Sequence, residues 1–289
     1  MSTFVLLTAT GLGLAALYFL VAAGLSLIFG LMDVLNFAHG ALVSVGAYVS
    51  WTVADHVPGT TGLALALLAA VASGGVLAAL IELTLIRPLY ARPLDRVLAT
   101  VGLGLAIPAL LQAVWGADPV EWTVPGWLGG TVALFGARIP TTRFVLLGIA
   151  GLLLLGLQLL FTRTRAGLVV RAGVEDRDMV AALGIDVRRA FTAVFALGGA
   201  AAGLAGLLDG VYQGSTSPGD GTALLIFAFV VVVLGRMGSL TGTMAAAVVV
   251  GLVQQFADYE SPSLGDESVV VLLALVLLLR RRELKGRVA

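Results

Sequence analysis

The chain has 289 residues, 59% of them hydrophobic and only 12% charged, with a mean hydropathy of +1.05 and a net charge of zero. Soluble domains carry about 25% charged residues, so half that density, combined with several apolar runs near 20 residues, excludes an ordinary soluble globular protein and indicates an integral membrane protein. The absence of cysteine excludes disulfides and thiolate metal sites, and two histidines, His39 and His56, are too few for a histidine metal cluster.

Backbone groups in lipid find no water, so each span is a helix or part of a closed barrel. The runs here are continuous rather than alternating, which selects helices. They predict spans at roughly 4–30, 38–54, 62–86, 97–115, 143–161, 191–209, 222–235, 243–257 and 268–280. The expected fold is all-α, one polytopic transmembrane domain over residues 1–289 with about nine (8–10) helices. The first run has no basic stretch before it and reads as a span rather than a cleaved signal. A break inside it would raise the count to ten. The second, seventh, eighth and ninth spans are short for a hydrocarbon core of about 30 Å, so some are expected to be broken or re-entrant.

Residues 24–48, GLSLIFGLMDVLNFAHGALVSVGAY, are unusual for a membrane interior. An apolar helix ends near Leu31, a turn containing Asn36, Phe37 and His39 follows, and a second apolar stretch begins. Gly30 and Gly40 allow the bend, while Asn36 and His39 can bond the freed backbone groups. Two readings stay open: a structural cap, or a gate lining the pathway. Glu82 lies near the end of the third span, within reach of Arg87, and Asp209 near the end of the sixth. Neither makes a mid-membrane acidic relay, which disfavours ion-coupled transport.

The segment 116–142 is rich in proline, glycine and tryptophan and reads as a lid or interfacial loop, with Trp115, Trp122 and Trp127 near the headgroups. A docking face for an external partner is the alternative. The segment 162–190 holds ten of the chain's 34 charged groups. Its spacing predicts a short amphipathic helix that either lies on the membrane or fits a groove in a soluble partner. The glycines of residues 198–206 are spaced for close helix packing. Residues 230–242, VVVVLGRMGSLTG, break a helix at Gly235 and Gly238 and resume it after Ser239, either a re-entrant element or a short capped loop.

Arginine placement sets the expected orientation. Segments 87–96, 162–190, 236 and 280–289 carry 15 of the 17 basic residues, which puts the 162–190 segment and the C-terminus in the cytoplasm. With nine spans the N-terminus would lie outside. The single lysine, Lys285, is followed by Gly286 and Arg287, so no phosphate-binding Gly-Lys-Ser/Thr loop exists, and no metalloprotease or serine-hydrolase motif is present. Nothing in the sequence supports an enzyme, a cofactor of the chain's own, a metal site or a nucleic-acid partner.

Taken together, these stretches resemble the permease subunits of branched-chain amino acid ABC importers. That family's N-terminal signature, close to GLxLIFGxMxVxNFAHGxLxxxGAY, is matched across residues 24–48, including Gly30, Asn36, Phe37, His39 and Gly40. Its cytosolic pattern RAxxxDxxxAxxxGID is held by Arg171, Ala172, Asp176, Gly184, Ile185 and Asp186, with Val180 where alanine is common. Its glycine turn VVVVLGGxGSxxG is matched at residues 230–242, except that Arg236 replaces a glycine, which puts the close helix approach there in doubt. The wording resembles the first of the two paired permeases.

The resemblance implies a multi-pass permease of the bacterial inner membrane that pairs with a second, homologous permease. Two cytosolic ATPases would bind the ATP and dock at Arg171, Ala172, Glu175, Asp176, Leu183, Gly184, Ile185 and Asp186, and an external substrate-binding protein would deliver the ligand. The cargo would be a branched-chain or related amino acid. Relatives that carry amides or urea are the alternative within the family, and a stand-alone secondary carrier or channel is the alternative outside it.

Overall fold

The computed structural model describes residues 2–32, 34–175, 179–180 and 186–285. Its helices are α1 (Ser2–Met32), α2 (His39–His56), α3 (Gly59–Ile81), α4 (Pro93–Trp115), α5 (Thr141–Arg163), α6 (Arg165–Glu175), α7 (Val187–Gln213), α8 (Asp220–Leu234), α9 (Leu240–Glu260) and α10 (Pro262–Lys285). All nine predicted spans fall on helices, and α6 is the added one. Among the described residues six helices are long and apolar enough to cross a membrane: α1, α3 with its extension to Leu89, α4, α5, α7 and α9. The molecule is a polytopic helical membrane protein.

Two expectations change in detail. The first run is one unbroken 31-residue helix, so the ten-span count falls away. The short helices are α2, with 18 residues, and α8, with 15. α9 and α10 reach 21 and 24 residues, so they are not shortened. In the charged segment 162–190, α5 runs to Arg163, α6 follows at once and α7 begins at Val187, so the described residues include the short helix that the spacing predicts.

α1 and α7 form the buried centre, and apolar side chains from nearly every other helix close around them. Lipid supplies no hydrophobic drive for this, so small residues that let backbones touch do the work. Gly198 packs on Gly24, Gly199 on Gly74, Gly206 on the Val43 carbonyl, and Gly251 on Gly11 and Ala15. α9 thereby lies along α1, tied also by the Tyr18 hydroxyl, which donates to Gln254 Oε1 at 2.6 Å.

Opposite ends of the bundle differ in chemistry. One gathers Arg87, Arg188 and the turn at 235–239, where Gly238 meets Gly30. The other is closed by a small lobe. Its strands β2 (Thr131–Leu134) and β3 (Ala137–Pro140) form an antiparallel hairpin, while β1 (Val120–Glu121) pairs with β4 (Ser215–Thr216). The hairpin turns through Phe135 and Gly136, both at positive φ (48° and 79°), as a two-residue turn of this hand requires.

The four tryptophans fasten this lobe rather than simply marking a headgroup layer. Each indole N–H donates to the lobe or to the helix ends beneath it: Trp51 to the Glu121 carbonyl (2.9 Å), Trp115 to Thr52 Oγ1 (3.1 Å), Trp122 to Thr216 Oγ1 (2.8 Å) and Trp127 to Thr60 Oγ1 (3.2 Å). Trp122 is buried in the lobe.

Candidate functional site

Between α1 and α2 the chain doubles back into the bundle through residues 34–38. Asn36 starts the turn. Its Oδ1 accepts the Ala38 N–H at 3.1 Å, and its carbonyl accepts the His39 N–H at 3.2 Å. His39 then opens α2 with its ring fully buried and its Nε2–H donated to the Val21 carbonyl at 3.1 Å. A carbonyl can only accept, so Nε2 carries the proton. Val21 lies 11 residues before the end of α1, so α2 begins about 16 Å back along that helix, at 1.5 Å per residue. Midway along α4, Gly104 faces the Phe37 carbonyl, which again puts the turn deep in the bundle.

A second chain reversal meets the first. Residues 214–219, after α7, descend along α2, and the Ser44 hydroxyl donates to the Pro218 carbonyl (3.0 Å) while accepting the Gly221 N–H (3.2 Å). Gly221, in the first turn of α8, touches the Gly40 backbone in the first turn of α2. Two short helices therefore start against each other in the interior. Neither could start there with a larger residue at the contact, because a side chain on either glycine would overlap the other's carbonyl.

Beside this meeting point lies an apolar pocket of about 310 Å³, open on one side, lined by Leu25 of α1, residues 35–37, Leu225 and the exposed Phe229 of α8, and Leu273 of α10. Among the described residues Asn36 is its only polar lining residue. The Asn36 amide nitrogen and His39 Nδ1 are buried and have no hydrogen-bond partner among the described residues. Nearly all buried polar groups are paired, so such exceptions call for a reason.

The structure brings the two predicted re-entrant stretches together. Gly30 and Gly238 are in backbone contact, and Gly238 N–H donates to Ser26 Oγ at 3.2 Å. Gly235 packs on Gly242, so the close approach that Arg236 put in doubt is made, with that residue at φ 66° in the left-handed region where glycine is favoured. Ser239 acts as the N-cap of α9, its hydroxyl accepting the Gly242 N–H at 3.1 Å.

The second predicted group sits at the arginine end. α6 buries Gly167, Val170 and Gly173, spaced three residues apart, and exposes Arg171, with Ala172 half-buried. Gly167 seats it against the backbone of Leu160 and Phe161. Val180 packs on Phe191, with Met32, Tyr90 and Ala172 around them. Asp186 caps α7, accepting the Arg188 and Arg189 N–H groups at 3.1 and 3.4 Å, and pairs with the Arg189 side chain at 3.0 Å. Asp176, Leu183, Gly184 and Ile185 lie outside the described residues.

Sequence reasoning paired Glu82 with Arg87 but missed Tyr90 and Thr192, which bond the same carboxylate. It also missed Ser44 and Gly221. A glycine one residue before a predicted apolar span was the available signal, but its partner is far away in sequence. Asp209 is buried and accepts from Gln213 Nε2 at 3.0 Å.

A protein-family model described as "Branched-chain amino acid transport system / permease component" matches residues 7–279. The high-affinity branched-chain amino acid transport system permease protein BraD of Pseudomonas aeruginosa is 29% identical over 289 residues, covering 96% of this chain and 94% of BraD. LivH of Escherichia coli, named in the same words, is 28% identical over 290 residues, covering 96% of this chain and 94% of LivH. A second permease of that name, LivM of Escherichia coli, is 27% identical, covering 90% of this chain and 67% of LivM. With the turn at Asn36–His39, the glycine contacts and the α6 element all inside the matched region, this chain belongs to the branched-chain amino acid transport permease family.

Proposed function

We propose that the chain is the membrane-spanning permease of an ATP-driven importer for branched-chain or closely related amino acids, in the inner membrane, with the arginine end and the C-terminus in the cytoplasm. The observation that carries this reading is the charged α6 element. It is seated on the arginine end of a bundle whose sequence has no ATP-binding loop of its own and which matches BraD and LivH over 96% of its length. Energy must then come from soluble ATPases docked there. Similarity to both LivH and LivM supports a second, homologous permease as the other half of the pathway. A binding protein would deliver the amino acid at the tryptophan end. The apolar pocket beside Asn36 suits an aliphatic side chain, with one polar group at its wall.

Mechanistically, the chain forms and breaks no covalent bond. The starts of α2 and α8 touch through glycine backbones in the interior, so a small shift of either reshapes the wall of the pocket. Asn36→Leu removes the turn's Asx bond and the pocket's polar group, each worth about 1 kcal/mol. Together, about 2 kcal/mol, they are expected to lower uptake roughly thirtyfold, with ATPase recovery unchanged in a pull-down. Equal loss of both would make the turn purely structural.

The reading is tested in proteoliposomes holding the permease pair, the ATPases and the binding protein from neighbouring genes. Leucine should accumulate only with ATP inside the cytoplasmic-face compartment. Uptake that proceeds without the ATPases and follows an ion gradient would overturn it.

A further inference from the structure

Glu82 is fully buried, yet its carboxylate accepts four bonds. Its Oε1 accepts from Arg87 Nε (3.3 Å) and the Tyr90 hydroxyl (2.9 Å), and its Oε2 from Arg87 Nη2 (3.3 Å) and the Thr192 hydroxyl (2.8 Å). Arg87 also donates from Nη2 to Thr192 Oγ1 at 2.6 Å and reaches the Arg188 carbonyl at 3.5 Å. One carboxylate thus ties the end of α3 to the first turns of α7. A buried charge is costly unless every partner is in place, so the cluster holds or fails as a unit.

Two further observations point beyond support. Glu82 opens a π-helical turn, Glu82–Ile86, which leads directly into the 3₁₀ turn Arg87–Leu89. Such turns break the regular helix ladder and mark places where a helix can shift register. The ring of Tyr90, whose hydroxyl reaches Glu82, packs against the small cluster that Val180 forms with Phe191, and so does Met32. Val180 lies in the charged segment, and Met32 ends α1 just before the interior turn. A push on the Val180–Phe191 cluster therefore bears on Tyr90 and Met32 at once, and through Tyr90 on the carboxylate that joins α3 to α7.

We propose that Glu82, Arg87, Tyr90 and Thr192 are positioning residues forming the joint by which movement of the charged segment is passed to α3 and α7 together. This rests on the reading of that segment as the ATPase docking element. They touch no substrate.

The test uses the full permease complex with its ATPases in proteoliposomes, comparing wild type, Glu82→Gln and Tyr90→Phe. Tyr90→Phe keeps the ring against the Val180–Phe191 cluster and removes only the hydroxyl, so it remains informative if Glu82→Gln fails to accumulate. The readout is leucine transported per ATP hydrolysed, beside complex yield and ATPase recovery. The joint is supported if Tyr90→Phe lowers the ratio at least about fivefold with yield and ATPase recovery unchanged, and Glu82→Gln lowers it further. It is overturned if uptake and yield fall in step while the ratio stays at the wild-type value. Wild-type chain that recovers no ATPase overturns the docking reading itself, and that failure shows without any substitution.

Discussion

Gly203→Leu is expected to remove folded permease from the membrane. Gly203 stands where α7 crosses α2 and α3 at once. A Cβ there would lie 3.0 Å from the Ala70 carbonyl carbon and 3.2 Å from Gly74 Cα, with the Ala70 oxygen nearer still. On its other side, the Gly46 backbone packs against Gly203. The obstacles are backbone atoms rather than flexible side-chain ends, so they cannot move aside without separating helices. Overpacking of this kind at a three-helix crossing costs more than about 4 kcal/mol. Since about 1–2 kcal/mol already changes abundance several-fold, recovery of monodisperse protein from detergent should drop more than about tenfold. Gly148→Leu is the control: nothing lies within 4 Å of a Cβ at Gly148, on α5, and its yield should match wild type. Equal yields for both variants would contradict the close-packed core.

Reversing the charge at Glu175 and Asp176 together should abolish transport while leaving the permease in the membrane. Glu175 ends α6, and Asp176 follows it directly. Both belong to the one charged stretch that matches the family's cytosolic pattern. A hydrogen bond from a partner to a charged group is worth about 1.5–3 kcal/mol, so two reversals should lower coupled uptake about a hundredfold or more. ATP hydrolysis by the ATPases should lose its response to substrate, and yield of the permease should stay near wild type. Docking between charged surfaces is screened by ions, so raised salt should weaken wild-type coupling in the same direction. Uptake within about twofold of wild type would remove the segment from the coupling route.

Much of this molecule is legible in its sequence. Continuous apolar runs place all six of the described helices that are long and apolar enough to cross a membrane, because unpaired backbone polar groups are costly in lipid. The interior turn is legible as well, since Asn36 and His39 stand out in an apolar stretch and have the right groups to satisfy a freed backbone. Its depth is not, because that is set by the His39 contact with the Val21 carbonyl, and no local pattern encodes a partner 18 residues back. The same limit hides the β1–β4 pairing, where Val120 meets Thr216, and the Thr192 bond to Glu82 across 110 residues. Arg236 illustrates a different limit. Its departure from the usual glycine is visible in sequence, but only the fold shows that the backbone there adopts φ 66° and that the close contacts are carried by Gly235 and Gly238 instead.

The most direct measurement is co-purification. The chain, tagged and expressed with its neighbouring genes, is extracted in detergent, and its companions are identified for wild type and for Gly184→Trp. Recovery of a second permease and an ATPase with the wild-type chain, and loss of the ATPase alone with Gly184→Trp, is the result expected of an importer subunit driven through its charged segment. A chain that comes out alone as a stable homo-oligomer and binds amino acid by itself would contradict it.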